Sequence, residues 1–454
     1  MQLKIKTPMR LTKSFELLLL LISSCMLITL IVWYQLKEPH HQAKKVLKDA
    51  QYQQLPLVLW WTPILQKYHT TRQCGFHKCR FSVRRELLPK AKVLLFYGSD
   101  MNKTDLPLPR LPTQMWALLH EESPKNIPFI PHEAVLRHFN FTSTFSRYSD
   151  YPLTTQYLKD VRQLTSPTYL LPVAAKTLLQ QQQKLAPVVF VQSICDTMSG
   201  RDEYVQELMQ HIAVDSFGKC LHNKDMPQNL ADNYLNTLQS PDFYRFLARY
   251  KFILSYENGI CNDYISEKFW RPLIIGSIPI YFGSPTIRDW QPNNKSVIHI
   301  DDFPSPKALA DFIKRLNAND MEYNSYLDHK YSQLHPISNK LLENTLIERY
   351  SDEEDRLFDA FECYVCQQAH EIQPKHMRRA THSHYDCPEP LVYPPMAAES
   401  LQRLREADWN SIAAVGKCQA HILDRLLQRN TNFTQQEFDD LLNQDIRTNK
   451  CNLQ

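Results

Sequence analysis

Asn258, Tyr264, Glu267 and Lys268 fall within one short stretch and supply hydrogen-bonding groups, a carboxylate and a cation. The stretch is YKFILSYENGICNDYISEKFWRPLIIGSIPIYFG, residues 250–283. Its pattern predicts a buried strand over 252–256, a polar loop over 257–263, a helix start carrying Glu267 and Lys268, and an apolar strand over 277–282. Polar groups between the carboxyl end of a strand and the next helix lie where open α/β sheets bind ligands. A helix N-terminus beside a lysine suits a phosphate, because unpaired backbone N–H groups and the helix dipole both favour anions. Arg201 is a second cation of this kind. It opens RDEYVQEL just after a strand and loop, where a guanidinium can grip a phosphate with two donors. MWALLHEESP (115–124) ends in adjacent carboxylates, Glu121 and Glu122. Neighbours at a strand end face opposite ways, so both cannot point into one cleft.

The elements that must position these residues alternate along the chain. Short apolar runs at 93–97 and 115–119 have the character of buried parallel strands, and Pro107, Pro109 and Pro112 enforce an extended connection between them. The Gln-rich run 180–183 is expected as a solvated helix end or linker. A new alternation follows: a strand at 188–192, a helix at 201–212, a loop at 215–220, the 250–283 stretch, and a strand near 297–300. Helices are expected at 306–316 and around 320–330, and Pro272 should kink or shorten the helix that starts at Glu267. Beyond about 370 a loop precedes helical periods at 397–409, 413–429 and 434–442. This order predicts an α/β protein of two domains with a helical C-terminal extension.

Composition bounds the class. Of 52 basic residues in the 454, Lys4, Lys6, Arg10 and Lys13 precede the first acidic one, and the remaining 48 balance 48 acidic residues. A body without net charge or a basic run gives no support for nucleic-acid binding. Residues 15–34 are predominantly apolar and end in Trp33 and Tyr34, long enough to cross a bilayer as a signal-anchor. The expected division is a cytoplasmic tail at 1–14, the span at 15–34, a polar stem at 35–54, domains at 55–185 and 186–345, and a cysteine-containing extension at 346–454. The flanking charges put the N-terminus in the cytosol and the body in the lumen, a type II arrangement in the endoplasmic reticulum or Golgi. Ten cysteines lie beyond the span, and an oxidising lumen should pair most of them. Zinc at Cys363 and Cys366 would need a second, better-spaced ligand pair than Cys74 and Cys79, so disulfides are favoured. Sequons at Asn102, Asn140, Asn294 and Asn432 are candidate glycosylation sites.

Asn258, Tyr264, Glu267 and Lys268 also match, position by position, the FENS…DYxTEK pattern of the α1,3-fucosyltransferases, with Tyr256, Gly259 and Ser266 departing from its commonest letters. HEESP resembles that family's (L/M)-Glu-Ser-Pro, 139–150 its following segment, and 363–366 its closing Cys-x-x-Cys. The chain therefore resembles glycosyltransferase family 10, the GDP-fucose-using fucosyltransferases. Trp-Trp-Thr-Pro, RDEYVQELM and FWRPL are most similar to its tenth and eleventh vertebrate members, a branch associated with protein O-fucosylation of EMI domains.

The resemblance implies a GT-B fold, two Rossmann-like domains facing across a cleft. It implies an inverting transfer of L-fucose from GDP-β-L-fucose, with Glu122 as the base. Arg201, Asn258, Tyr264, Glu267 and Lys268 would bind the donor: Lys268 neutralises the β-phosphate and Glu267 faces the fucose. The first domain would carry base and acceptor, the second GDP-fucose. Cys74 and Cys79 would bridge to Cys363 and Cys366 in an order left open, and Cys195–Cys220 is expected as a further bridge. The chain has no Asp-x-Asp, the carboxylate pair with which many nucleotide-sugar enzymes hold a divalent ion, so no metal or other cofactor is expected. The expected acceptor is a Ser/Thr hydroxyl of a folded protein or glycoprotein. The alternatives are GlcNAc on N-glycans or Lewis-type glycans, or a catalytically weak lumenal binding relative.

Overall fold

The computed structural model describes residues 22–27, 29, 30, 33, 53–63, 68–231, 237–349, 357–371, 378–389 and 391–451. Residues 1–56 and 57–454 form two separate compact units. Among the described residues no helix is long and apolar enough to cross a membrane. Most of the expected span, the tail at 1–14 and most of the stem lie outside the described residues.

In the second unit, 57–454, the strands form two sheets. The first comprises β1 (Leu57–Thr62), β2 (His69–Cys74), β3 (His77–Ser82), β4 (Ala91–Tyr97), β5 (Met115–His120) and β6 (Phe141–Thr144), in the order β2-β3-β1-β4-β5-β6. All its pairs are parallel except the β2–β3 hairpin. The second comprises β7 (Val188–Gln192), β8 (Val214–Gly218), β9 (Phe252–Tyr256), β10 (Ile278–Phe282) and β11 (Ile298–His299), in the order β11-β10-β9-β7-β8, entirely parallel.

Both faces of the first sheet are covered, as parallel strands require. Val58, Trp60, Val93, Leu95 and Ala117 pack on one face against Phe361 and Val365. Leu57, Leu59, Leu94, Phe96 and Leu118 pack on the other against Ile422, Leu423 and Leu426. The first cover is a helix at Leu357–Glu371 and the second a helix at Asp408–Arg429. Helices 357–371 and 408–429 of the C-terminal extension are thus part of the first sheet's core. Cys74–Cys363 and Cys79–Cys366 fasten the first cover to the hairpin, closing sequence separations of 289 and 287 residues.

In the second sheet, one face packs on α1 (Arg201–Met209) and on Leu309, Ile313 and Leu316 of α3 (Pro306–Asn317). The other face packs on α2 (Glu267–Ile275) through Phe269, Trp270 and Leu273. Pro272 does not end α2, which runs on to Ile275 and closes at Gly276 in the left-handed conformation (φ 71°). The expected helix at 201–212 stops at Met209. The expected loop at 215–220 is instead mostly strand β8. Its buried Asp215 accepts from Lys224, Tyr250 and the Ala186 amide, which hides the strand from an apolar pattern.

Candidate active site

In the second sheet β8 lies on one side of β7 and β9 on the other, so chain order reverses there. A crevice opens at such a switch, beyond the carboxyl ends of the strands. The β7 loop delivers Arg201 to it, and the β9 loop delivers 257–268. Arg201 is the first residue of α1 and is 2% exposed. Its guanidinium donates to the carbonyls of Tyr256 (3.1 Å) and Ile194 (2.7 Å). Nε has no protein partner, and among the described residues no carboxylate lies within ion-pair distance. A buried cation without a counter-ion is costly, and burial lowers its proton affinity. Backbone carbonyls thus orient the fork through two of its five N–H donors, leaving Nε and one N–H on each terminal nitrogen for a phosphate.

Ser266 caps α2, its hydroxyl accepting from the Lys268 amide (3.3 Å) and from Lys268 Nζ (3.0 Å). Lys268 sits 3.5 Å from Glu257 and 3.6 Å from Glu267. A cation in the first turn works against the helix dipole, so its place there favours anion binding over helix stability. At the opposite end, Lys176 and Lys330 donate to the carbonyls of Gly276 and Ile274, and burial lowers the proton affinity of both amines. Burial disfavours the Glu267 carboxylate, but Lys268 and Arg271 outweigh it and hold its pKa below the usual value. The Tyr264 hydroxyl donates to Asn258 Oδ1 (3.0 Å). The structure thus brings all five expected donor-site residues to one crevice.

Glu121 and Glu122 diverge at the end of β5. Glu121 accepts from the Tyr97 hydroxyl at 2.6 Å. The Glu122 carboxylate has no protein hydrogen-bond partner among the described residues. Burial raises its pKa, Lys268 and Lys125 lower it, and Glu121 and Glu267 raise it further. Glu122 therefore feels both members of the Glu267–Lys268 pair across the cleft. A raised, unengaged carboxylate is suited to receiving a proton near neutral pH. His120 is fully buried and its pKa falls to about 3, so it is neutral and a poor base.

The two halves meet beside these groups. A Cβ on Gly259 would lie 2.8 Å from Ser123 Cβ, which accounts for glycine at that departure from the FENS letters. Arg147 clamps Asp263 with its guanidinium (2.6 and 2.8 Å) and its backbone amide (2.9 Å). Thr286 and Trp290 add donors, and together these hold the Asp263 carboxyl below its usual pKa despite burial. Cys261 is bonded to Cys387 of the extension, and Cys418 to Cys451. Cys195–Cys220 braces the loop before Arg201.

Sequence reasoning missed Glu257, Tyr157 and Tyr385. Buried Glu257 accepts from the Ser266 amide (2.8 Å) and hydroxyl (2.7 Å), organising the cap under Lys268. Tyr157 faces Glu267, Glu122, Glu121 and Glu257, and burial together with those charges keeps its hydroxyl protonated. Glu257 stood inside the 250–283 stretch and could have been singled out, whereas Tyr157 and Tyr385 carried no local signal. Asn102, Asn294 and Asn432 are exposed. Asn140 is not: its amide is buried and bonds Arg110, the Trp116 amide and the Arg378 carbonyl, a correction to its place among the glycosylation candidates.

A cavity of about 1250 Å³ adjoins the cleft, with walls that include Pro124, Met198, Ile260, Tyr393, Trp409 and Lys417.

A carboxylate at the end of one parallel sheet, facing cations at the switch point of another, defines a group-transfer enzyme with an anionic leaving group. The chain belongs to glycosyltransferase family 10, the fucosyltransferases. The model for "Glycosyltransferase family 10 (fucosyltransferase) C-term" matches residues 180–383, and "Fucosyltransferase, N-terminal" matches 53–157. Alpha-(1,3)-fucosyltransferase B of Drosophila melanogaster is 48% identical over 400 residues, 87% of this chain and 89% of that protein. GDP-fucose protein O-fucosyltransferase 3 of Homo sapiens is 44% identical over 406 residues, 86% of this chain and 83% of that protein. A solved α1,3-fucosyltransferase with GDP-fucose is 16% identical with a TM-score of 0.34, covering 66% of this chain and 91% of that one.

Proposed function

We propose that this protein transfers L-fucose, with inversion, from GDP-β-L-fucose to a Ser or Thr hydroxyl of a folded protein. The observation that carries the reading is the unengaged Glu122 carboxylate held within electrostatic reach of Lys268. Glu122 takes the acceptor O–H proton as that oxygen bonds the sugar's anomeric carbon. The bond from that carbon to the β-phosphate oxygen breaks, and GDP leaves with the electron pair. Lys268, Arg201 and the N-terminus of α2 stabilise the charge that grows on the phosphate. Asn258 and Tyr264 hold the nucleotide, and Glu267 faces the fucose. No metal is assigned to this role, and no Asp-x-Asp is available to hold one.

The name of the human relative supports a protein acceptor, and the name of the fly relative supports the alternative, α1,3-fucosylation of a glycan. The two largely parallel sheets support a GT-B architecture for this transferase. The basic residues before 15–34 and the five disulfides support a type II protein anchored in the endoplasmic reticulum or Golgi, with its body in the lumen.

Radiolabelled GDP-fucose offered with folded cysteine-rich protein domains and, separately, with GlcNAc-terminated glycans tests the acceptor. Label in protein is expected, and label only in glycan would replace this reading with the alternative. GDP should bind undiminished in EDTA, and loss of binding there would bring a metal into the mechanism.

A further inference from the structure

The choice between Glu121 and Glu122 is made outside both sheets. The β5–β6 ladder ends at His120 paired with Thr144, so the Glu122 carbonyl has no strand partner. It accepts instead from the Tyr385 hydroxyl at 2.7 Å. The same hydroxyl lies 2.8 Å from His120 Nδ1. A tyrosine has one proton to give, and Glu122 takes it, so His120 must carry its own hydrogen on Nδ1 and donate to the Tyr385 oxygen. Tyr385 is fully buried, with its ring against Phe145 (4.8 Å) and stacked on His120 (5.6 Å). Gly98 makes room for that histidine, since a Cβ there would lie 2.6 Å from its ring.

The other end of the segment is tied to the donor loop. The Asn262 amide donates to the Asp386 carbonyl (2.9 Å), Asn262 Nδ2 donates to Asp386 Oδ2 (2.8 Å), and Cys387 is bonded to Cys261. Residues 385–387 therefore hold the end of β5 and the loop between Asn258 and Tyr264 in one register.

We propose that the Tyr385 hydroxyl is a positioning group for the base, fixing the Glu122 backbone so that its carboxylate, and not that of Glu121, enters the cleft at a set distance from the donor. This rests on Glu122 being the base. Tyr385 touches no substrate and acts only through the strand end.

The test compares Tyr385→Phe and Glu122→Gln with the parent protein. The readouts are GDP release from GDP-fucose, with a folded cysteine-rich domain or water as acceptor, and GDP binding. Tyr385→Phe should lower kcat roughly ten- to a hundredfold while KM for GDP-fucose and GDP affinity stay within about twofold. It should add little to Glu122→Gln in the double variant. Full turnover by Glu122→Gln would overturn the base itself. An inactive Glu122→Gln beside a fully active Tyr385→Phe would overturn the positioning role alone. Should Tyr385→Phe fail to fold, His120→Asn, which keeps an N–H near the Nδ1 position, should outpace His120→Leu. Equal rates for that pair would overturn the proposal.

Discussion

The donor crevice and the base edge use the same kinds of side chain but are held together in opposite ways. In the crevice the contacts are local: Glu257 with Ser266, Ser266 with Lys268, Tyr264 with Asn258. One loop and one helix cap organise most of it, and Arg201 reaches in from the β7 loop to the Tyr256 carbonyl. At the base edge, Glu122 is set by a hydroxyl 263 residues away in sequence, on a segment of the extension. The extension also reaches the second half. Trp409 donates to Asp196 at 2.8 Å and lies 5.9 Å from Lys125, and Leu404 is so close to Gly200 that a Cβ there would come within 2.5 Å. The comparison teaches that charge neutralisation on a leaving group can be packaged in a short stretch of chain. Placing a base on the other half requires contacts between distant segments.

The comparison breaks most visibly at the base. Glu122→Gln should lower kcat by about 10²- to 10⁴-fold with GDP binding intact, measured by fucose transfer and GDP titration. Glu121→Gln should retain most of that turnover. On the donor side, Lys268→Met should cost about 10²- to 10³-fold in kcat and weaken GDP binding as well, a double effect that Glu122→Gln lacks. The clamp between the halves is next. Asp263→Asn removes the buried carboxylate shared by Arg147, Thr286 and Trp290 while Arg147 keeps Asp289, and should destabilise the fold by about 1–3 kcal/mol, read from chemical denaturation.

The smallest effect is on pH. Turnover needs Glu122 ionised, and its pKa is raised, so rate should fall as pH drops through a value above the ordinary 4.5. Glu267 contributes to that rise. Glu267→Gln should therefore move the acid limb to lower pH, whatever it does to the maximal rate.

The donor site was legible because its chemistry is local. Strand 252–256, the loop and the cap of α2 lie consecutively, so Asn258, Tyr264, Glu267 and Lys268 could be placed in one crevice from their order alone. Arg201 was placed by the family resemblance, since its position alone fits a solvated helix start equally well, and the carbonyls that orient its fork were not legible. Strand β8 escaped because its buried polar residues, Asp215 and Ser216, are satisfied by partners outside the strand. Pro272 sits inside a helix that packing of Phe269, Trp270 and Leu273 sustains despite the lost hydrogen bond.

By itself the sequence determined which residues are available: two cations and a cluster of polar groups beyond the strands of one half, and two carboxylates at a strand end of the other. It also settled that apolar periods of strand and helix alternate, which commits the chain to α/β layers. Only the tertiary structure decided what holds Glu122 at the strand end, how the two halves face each other, and that C-terminal helices cover the first sheet. Those outcomes depend on contacts across 263 and 116 residues, such as Tyr385 on Glu122 and Arg147 on Asp263. Their free energy appears only once both segments are folded, so no local pattern of residue types can encode them.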